Sequence, residues 1–239
     1  MNIYKPTGPD ILHPRIPRAL EDKLARPLTH IYNNSVETGI IPEDWKSANV
    51  TAVHKKGSRQ EKGIYRTTSL TSVVCKTMER LVKARLITHL EMNNLIGDSQ
   101  HGFRNKRSCL TSLLDFFAQV IDTYDTDNNK AVDLVYLDFQ KAIGKVPHER
   151  LTLKVNAHGI HDDVARWIRN CLAGRCQRVC INQSYSNWAP VTFGVPQGIV
   201  LGALFFLIYT NDLDTNIVSK MSKFAHDTKL CHRLQPGMR

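Results

Sequence analysis

The chain has 239 residues, 42% of them hydrophobic and 23% charged, proportions of a globular protein that exclude intrinsic disorder. Lys and Arg number 32 against 22 Asp and Glu, and a net charge of +10 favours a polyanionic partner such as a phosphate backbone. The longest apolar run, Ile199 to Tyr209, has eleven residues, well short of the ~20 a membrane-spanning helix needs, so no membrane role is expected.

No secretory leader opens the chain, which points to an intracellular location, in nucleus or cytoplasm. The six cysteines are irregularly spaced and suit a reducing compartment. Cys171, Cys176 and Cys180 contain no Cys-x-x-Cys pair and read as buried or half-buried thiols rather than a zinc site.

In chain order, Gly8-Pro9-Asp10 and Pro14 form an irregular arm. Leu20, Leu24, Leu28, Ile31 and Tyr32 recur at helical spacing, with a kink expected at Pro27 and a stop at Gly39. Val50 to His54 reads as a strand running into the basic turn Lys55-Lys56-Gly57, and Tyr65 to Leu70 as extended. Val74, Met78, Leu81, Val82 and Leu90 mark a long amphipathic helix. Ser108 is the expected N-cap of the next, with Leu110, Leu113, Leu114, Phe117, Val120 and Ile121 on its buried face.

Ala131 to Phe139 reads as a strand buried on both faces that ends on Asp138. One helix ends at Gly159, and another runs from Asp162 to Gly174 with Trp167, Ile168 and Cys171 inward. A hairpin is expected across Gln183-Ser184, then the loop Gly194 to Gly198 and an apolar helix ending near Asn211-Asp212. Ser219 to Leu234 reads as a final hairpin with His226-Asp227 at its turn. Helices interleaved with antiparallel pairs indicate an α+β fold.

Taken alone, Asp138 reads either as a strand-end cap or as a ligand, and Asp227 as ordinary turn chemistry. Together, with a glycine-framed loop between them, they suggest carboxylates gripping divalent ions for phosphoryl transfer. Sparse oxygen ligands suit Mg²⁺.

Ordered markers then support a family. They are Ile41-Pro42-Glu43-Asp44-Trp45, Tyr65-Arg66, Ser69-Leu70-Thr71-Ser72, Met78-Glu79-Arg80-Leu81, Gln100-His101-Gly102-Phe103-Arg104, Tyr136-Leu137-Asp138-Phe139, and Gly194-Val195-Pro196-Gln197-Gly198 with Val200-Leu201-Gly202. With them the chain resembles the reverse transcriptase domain of a non-LTR, LINE-type retrotransposon of the jockey/chicken-repeat kind. The resemblance implies right-hand polymerase fingers over residues 1–130 and a partial palm over 131–239, with the thumb absent. It implies an RNA template, a DNA primer, deoxynucleoside triphosphates and a two-ion Mg²⁺ site. Asp138 takes the place of the first catalytic aspartate and Asp227 that of the second member of a paired-aspartate motif, both as metal ligands. Arg66 matches the residue that clamps the triphosphate, with Lys55 and Lys56 beside it. Gln197 and Gly198 match the loop against the incoming nucleotide, Ile143 the position that gates its sugar, and Gly102, Phe103 and Arg104 the template support.

The departures are as informative. The family pattern has Asp-Asp at His226-Asp227, Phe-Asp at Ile143-Gly144, Arg-Pro at Arg66-Thr67, and Gly-Ser-Val-Leu-Gly-Pro where this chain reads Gly198 to Ala203. Exchanging one of three carboxylates for imidazole removes several kcal/mol of ion binding at an effective dielectric of about 20. The expected loss of rate is roughly a thousandfold, so the reading is a polymerase domain by descent that is inactive in this copy. The alternative is an inert RNA- or DNA-binding remnant.

Overall fold

The computed structural model describes residues 3–61, 64–125, 131–139, 142–182, 184–195 and 198–233. A short helix α1 (Arg15–Ala19) leads into α2 (Glu21–Thr38), which accommodates Pro27 and stops at Gly39, whose φ of 72° is the left-handed helix stop. Trp45, on the single turn α3 (Glu43–Lys46), is buried edge-on against Tyr32 with ring centroids 5.8 Å apart. The antiparallel strands β1 (Ser47–His54) and β2 (Tyr65–Leu70) follow, then the long helices α4 (Val73–Met92) and α5 (Cys109–Asp125). Both long helices begin on serine, with Ser72 Oγ accepting from the Cys75 amide and Ser108 Oγ from the Thr111 amide.

Next come β3 (Val132–Asp138), a 3₁₀ turn at Ile143–Lys145, α6 (His148–Ala157) and α7 (Asp162–Leu172). The chain continues through β4 (Arg175–Ile181), β5 (Ser184–Tyr185), β6 (Ala189–Val191) and α8 (Gly202–Tyr209). It closes with the hairpin of β7 (Lys220–Phe224) and β8 (Asp227–Arg233).

The strands make two sheets. In the larger, mixed sheet the order is β2-β1-β4-β5, with β1 and β4 parallel and β6 also on β4. This sheet therefore draws on both halves of the chain. The smaller sheet has the order β3-β8-β7 and is antiparallel throughout.

The apolar run of the sequence becomes α8, and Leu204 to Ile208 are all buried. One core joins α8 to α2, α4, α6 and α7 through Leu86, Leu90, Leu151, Val155, Trp167 and Ile168. Polar groups in it are paired: Trp167 Nε1 donates to Ser35 Oγ at 3.0 Å, and the Tyr32 hydroxyl to the Val74 carbonyl at 2.9 Å. Burial pushes the Tyr32 phenol up to about 12.

Two expectations fail. On α5 the buried residues are Ser112 and Phe116, while Leu110, Leu113, Leu114, Phe117 and Ile121 are exposed. The small Ser112 lets the helix approach the sheet closely, its Oγ lying 3.1 Å from Ser222 Oγ, and Phe116 stacks edge-on against Tyr136. That contact sets the helix's roll, and the wider leucine stripe faces outward. Likewise β3 is not buried on both faces. Among the described residues it pairs with β8 alone, and Leu134, Val135, Tyr136 and Leu137 are exposed. Standing at the end of the order β3-β8-β7, β3 leaves its apolar run open.

Candidate active site

The β7–β8 turn is the shortest a hairpin allows. Phe224 pairs with Asp227, leaving only Ala225 and His226 between the strands, with Ala225 at a φ of 56°. Asp138, the last residue of β3, lies directly opposite Asp227, and opposed residues on antiparallel strands present their side chains to one face. His226 Nε2 stands 3.8 Å from Asp138 Oδ1, and one ligand atom from each of Asp138, His226 and Asp227 lies within 4.8 Å of the others. Both aspartates are exposed and His226 is half-buried. This is a cluster able to coordinate a metal ion, the only such group of three or more among the described residues. The three spaced cysteines form no part of it.

The turn is clasped from below by residues 99–102. The Lys223 amide donates to the Ser99 carbonyl at 2.7 Å, and the His101 amide donates to the Lys223 carbonyl at 2.8 Å. Gln100 Oε1 accepts from the amides of Gly102 at 2.8 Å and Ala225 at 3.3 Å. A Cβ on Gly102 would stand 2.4 Å from the Ala225 nitrogen, so backbone meets backbone there. The buried Lys223 ammonium is neutralised by Asp214 at 2.9 Å, which also accepts from Ser99 Oγ at 2.5 Å.

Of the residues matched to template support, Gly102 is thus buried under the metal-site turn. Arg104 donates to the Gly97 carbonyl at 3.0 Å, and Phe103 alone of the three is exposed. His101 is held by Thr111, Asp115 and Arg107, and burial together with the Arg107 charge lowers its pKa.

The loop beginning at Gly194 is fixed at both ends. Gly194 donates to the Val146 carbonyl and Val195 to the Ile143 carbonyl, both at 2.8 Å, while His148 Nε2 donates to the Gly194 carbonyl at 2.8 Å. Gly194 and Gly198 have φ of 82° and 112°, and a Cβ on either would meet Gly144 or Ser69 backbone oxygen at 2.3 or 2.6 Å. Gln197 lies outside the described residues. Gly198 therefore rests on β2, the strand that carries Arg66, while Lys55 is exposed where the β1–β2 hairpin closes. Ile143 turns its side chain against the core rather than into open space. Beside it, a Cβ on Gly144 would meet nothing within 4 Å, so an aspartate fits there sterically.

Glu79 is a residue that sequence reasoning passed over. It is 3% exposed, and its Oε2 accepts from the Val200 amide at 2.6 Å, two residues beyond Gly198. Burial raises its pKa, opposed by the Val200 amide and by the charge of Arg175. The signal was available: Glu79 interrupts the apolar stripe of α4 between Met78 and Val82. Gln100, with one side-chain oxygen serving two amides, carried no comparable sequence signal.

Two helix-covered sheets, an aspartate pair on the smaller one and a glycine-framed loop anchored beside the larger define a fingers-and-palm architecture of the reverse transcriptase kind. Residues 53–234 match the family described as reverse transcriptase (RNA-dependent DNA polymerase), and the chain belongs to that family. It is 30% identical over 218 residues to the RNA-directed DNA polymerase from mobile element jockey of Drosophila melanogaster, covering 90% of this chain and 23% of that protein. The jockey protein of Drosophila funebris is 28% identical over 213 residues, covering 87% of this chain and 23% of that one. Relatedness to non-LTR retrotransposon reverse transcriptases follows, and the chain spans about a quarter of these relatives' length. A telomerase structure from Candida tropicalis, in complex with a TWJ fragment of telomeric RNA, shares the fold. It gives a TM-score of 0.59 at 10% identity, over 89% of this chain and 40% of that one. Among the described residues no helix is long and apolar enough to cross a membrane.

Family membership implies Mg²⁺. The donors present do not fit a two-ion magnesium centre, because two carboxylates must do the bridging of three and the third donor is an imidazole nitrogen.

Proposed function

We propose that this chain is an RNA-directed DNA polymerase domain by descent, with fingers over residues 1–130 and palm over 131–239, whose chemical centre is impaired at His226. The observation that carries the reading is the register of the smaller sheet, which sets Asp138 against Asp227 with His226 at the intervening turn. In this reading Asp138 and Asp227 take the places of the family's ion-binding aspartates, and Arg66 with Lys55 receives the triphosphate on the β1–β2 hairpin. Gly198 borders the base and sugar, the role the family resemblance also gives Gln197, and Ile143 takes the sugar-gate position in the chain with its side chain turned to the core. Phe103, with Gly102 and Arg104 behind it, meets the template.

The deficit of one carboxylate leaves recognition of RNA template and DNA primer intact, because that rests on the basic surface rather than on the ion site. Primer extension on poly(rA)-oligo(dT), run beside RNA binding from ~50 to ~200 mM salt, tests both halves of the proposal. The expected result is RNA binding that weakens steeply with salt and no sustained DNA synthesis. Extension over many nucleotides by the unaltered chain overturns the impairment, and salt-insensitive or absent RNA binding overturns the descent-based partner.

A further inference from the structure

The same site suggests a different ion. We propose that Asp138, Asp227 and His226 form a single-ion site selective for late first-row divalent metals, cobalt, nickel or zinc, rather than for magnesium. The inference deepens the palm reading and rests on it.

The donor set is two carboxylates and one imidazole nitrogen, all within 4.8 Å, with His226 Nε2 at 3.8 Å from Asp138 Oδ1. Around an ion with bonds of about 2.1 Å, neighbouring ligand atoms sit roughly 3.0–3.4 Å apart. The trio therefore has to close by less than about 2 Å at its widest, a change exposed carboxylate rotamers can make. Magnesium gains nothing from this closure, since it seeks oxygen donors in near-octahedral order and sheds water reluctantly. For the later metals imidazole is a preferred ligand, and affinity at a mixed nitrogen and oxygen site rises along the first row.

Ion number follows from charge. Two divalent ions about 3.5–4 Å apart carry four positive charges, and two aspartates cannot offset them. One ion and two aspartates are neutral. The turn is also held in place before any ion arrives. Ala225 donates to Gln100, and Gly102 packs against the Ala225 backbone, so His226 starts from a fixed backbone position.

Exposed Cys109 is a competing soft ligand, so the test uses untagged protein carrying Cys109→Ser. Cobalt is titrated by its visible absorption, and magnesium is then tested as a competitor, in this parent, His226→Ala, Asp138→Asn and His226→Asp. All three substituted side chains are exposed or half-buried, and unchanged melting curves establish that the variants fold. The expectation is one cobalt per chain. His226→Ala and Asp138→Asn should each weaken cobalt binding about tenfold or more, and His226→Asp should raise magnesium affinity while lowering cobalt affinity. Cobalt affinity equal in parent and His226→Ala overturns the inference. If His226→Asp then binds magnesium, the palm reading survives that failure. If neither parent nor His226→Asp binds either metal at these residues, both fall together.

Discussion

Glu79 and the Asp138–Asp227 pair are all carboxylates, yet they stand in opposite surroundings. Glu79 is buried in the core and satisfied by a backbone amide, and the Arg175 charge opposes the upward push that burial gives its pKa. Asp138 and Asp227 are exposed at the tip of a sheet, facing each other and an imidazole. A buried carboxylate with fixed partners holds a loop in place, and an exposed pair of like charges waits for a cation. The same side-chain chemistry is structural in one place and open to coordinate a metal ion in the other, and burial separates the two.

If that contrast is right, substitutions at the buried anchor should cost stability, and those at the exposed pair should not. The largest effect is expected from Glu79→Ala. It strands the Val200 amide in the core and leaves a cavity there, and denaturant unfolding should show a loss of about 3–5 kcal/mol. Phe116→Ala should cost roughly 3 kcal/mol while its exposed neighbour Phe117→Ala stays within about 0.5 kcal/mol. The reverse order would overturn the outward orientation of α5. Gly102→Ala forces the Ala225 backbone aside and should cost about 2 kcal/mol, with a matching loss of metal affinity because the turn moves. The smallest effect belongs to Asp138→Asn, expected within about 0.5 kcal/mol of the parent in stability while metal binding is lost.

The contrast also has a pH signature. Burial holds the Glu79 carboxyl above its ordinary value of 4.5, so the folded chain keeps that proton more tightly than the unfolded chain. Its contribution to stability is therefore fully present below that ordinary value and is lost as pH rises through the raised one. Glu79→Gln should flatten this decline. An unchanged pH dependence of the melting temperature would show that the carboxyl is not shifted.

Much of this architecture was legible because it was written in local chemistry. Gly39 ends α2, Ser108 opens α5, and the last hairpin falls within Ser219 to Leu234, although its two-residue loop is Ala225-His226, one residue before the expected His226-Asp227. The pairing of Asp138 with Asp227 was reached from the glycine-framed loop between them and from the family resemblance. What local pattern could not supply was the covering of a surface. The leucines of α5 and the run Leu134 to Leu137 have the periodicity and polarity of buried segments, and only the tertiary arrangement shows them open. Nor does spacing along the chain show that Gly102 lies beneath Ala225, more than a hundred residues away, or that Gln100 serves two amides at once.

The central claim is that this palm site is one carboxylate short. Single-nucleotide addition to a DNA primer on an RNA template in Mg²⁺, measured for the parent chain and for His226→Asp, addresses it directly. The account predicts no addition above background for the parent and a gain of at least about tenfold for His226→Asp, since each 1.36 kcal/mol recovered is tenfold in rate. On the proposed reading sustained synthesis should still be lacking, because Ile143 and Gly144 stand where the family pattern has Phe-Asp. A parent chain that already adds nucleotides as fast as His226→Asp would contradict the account.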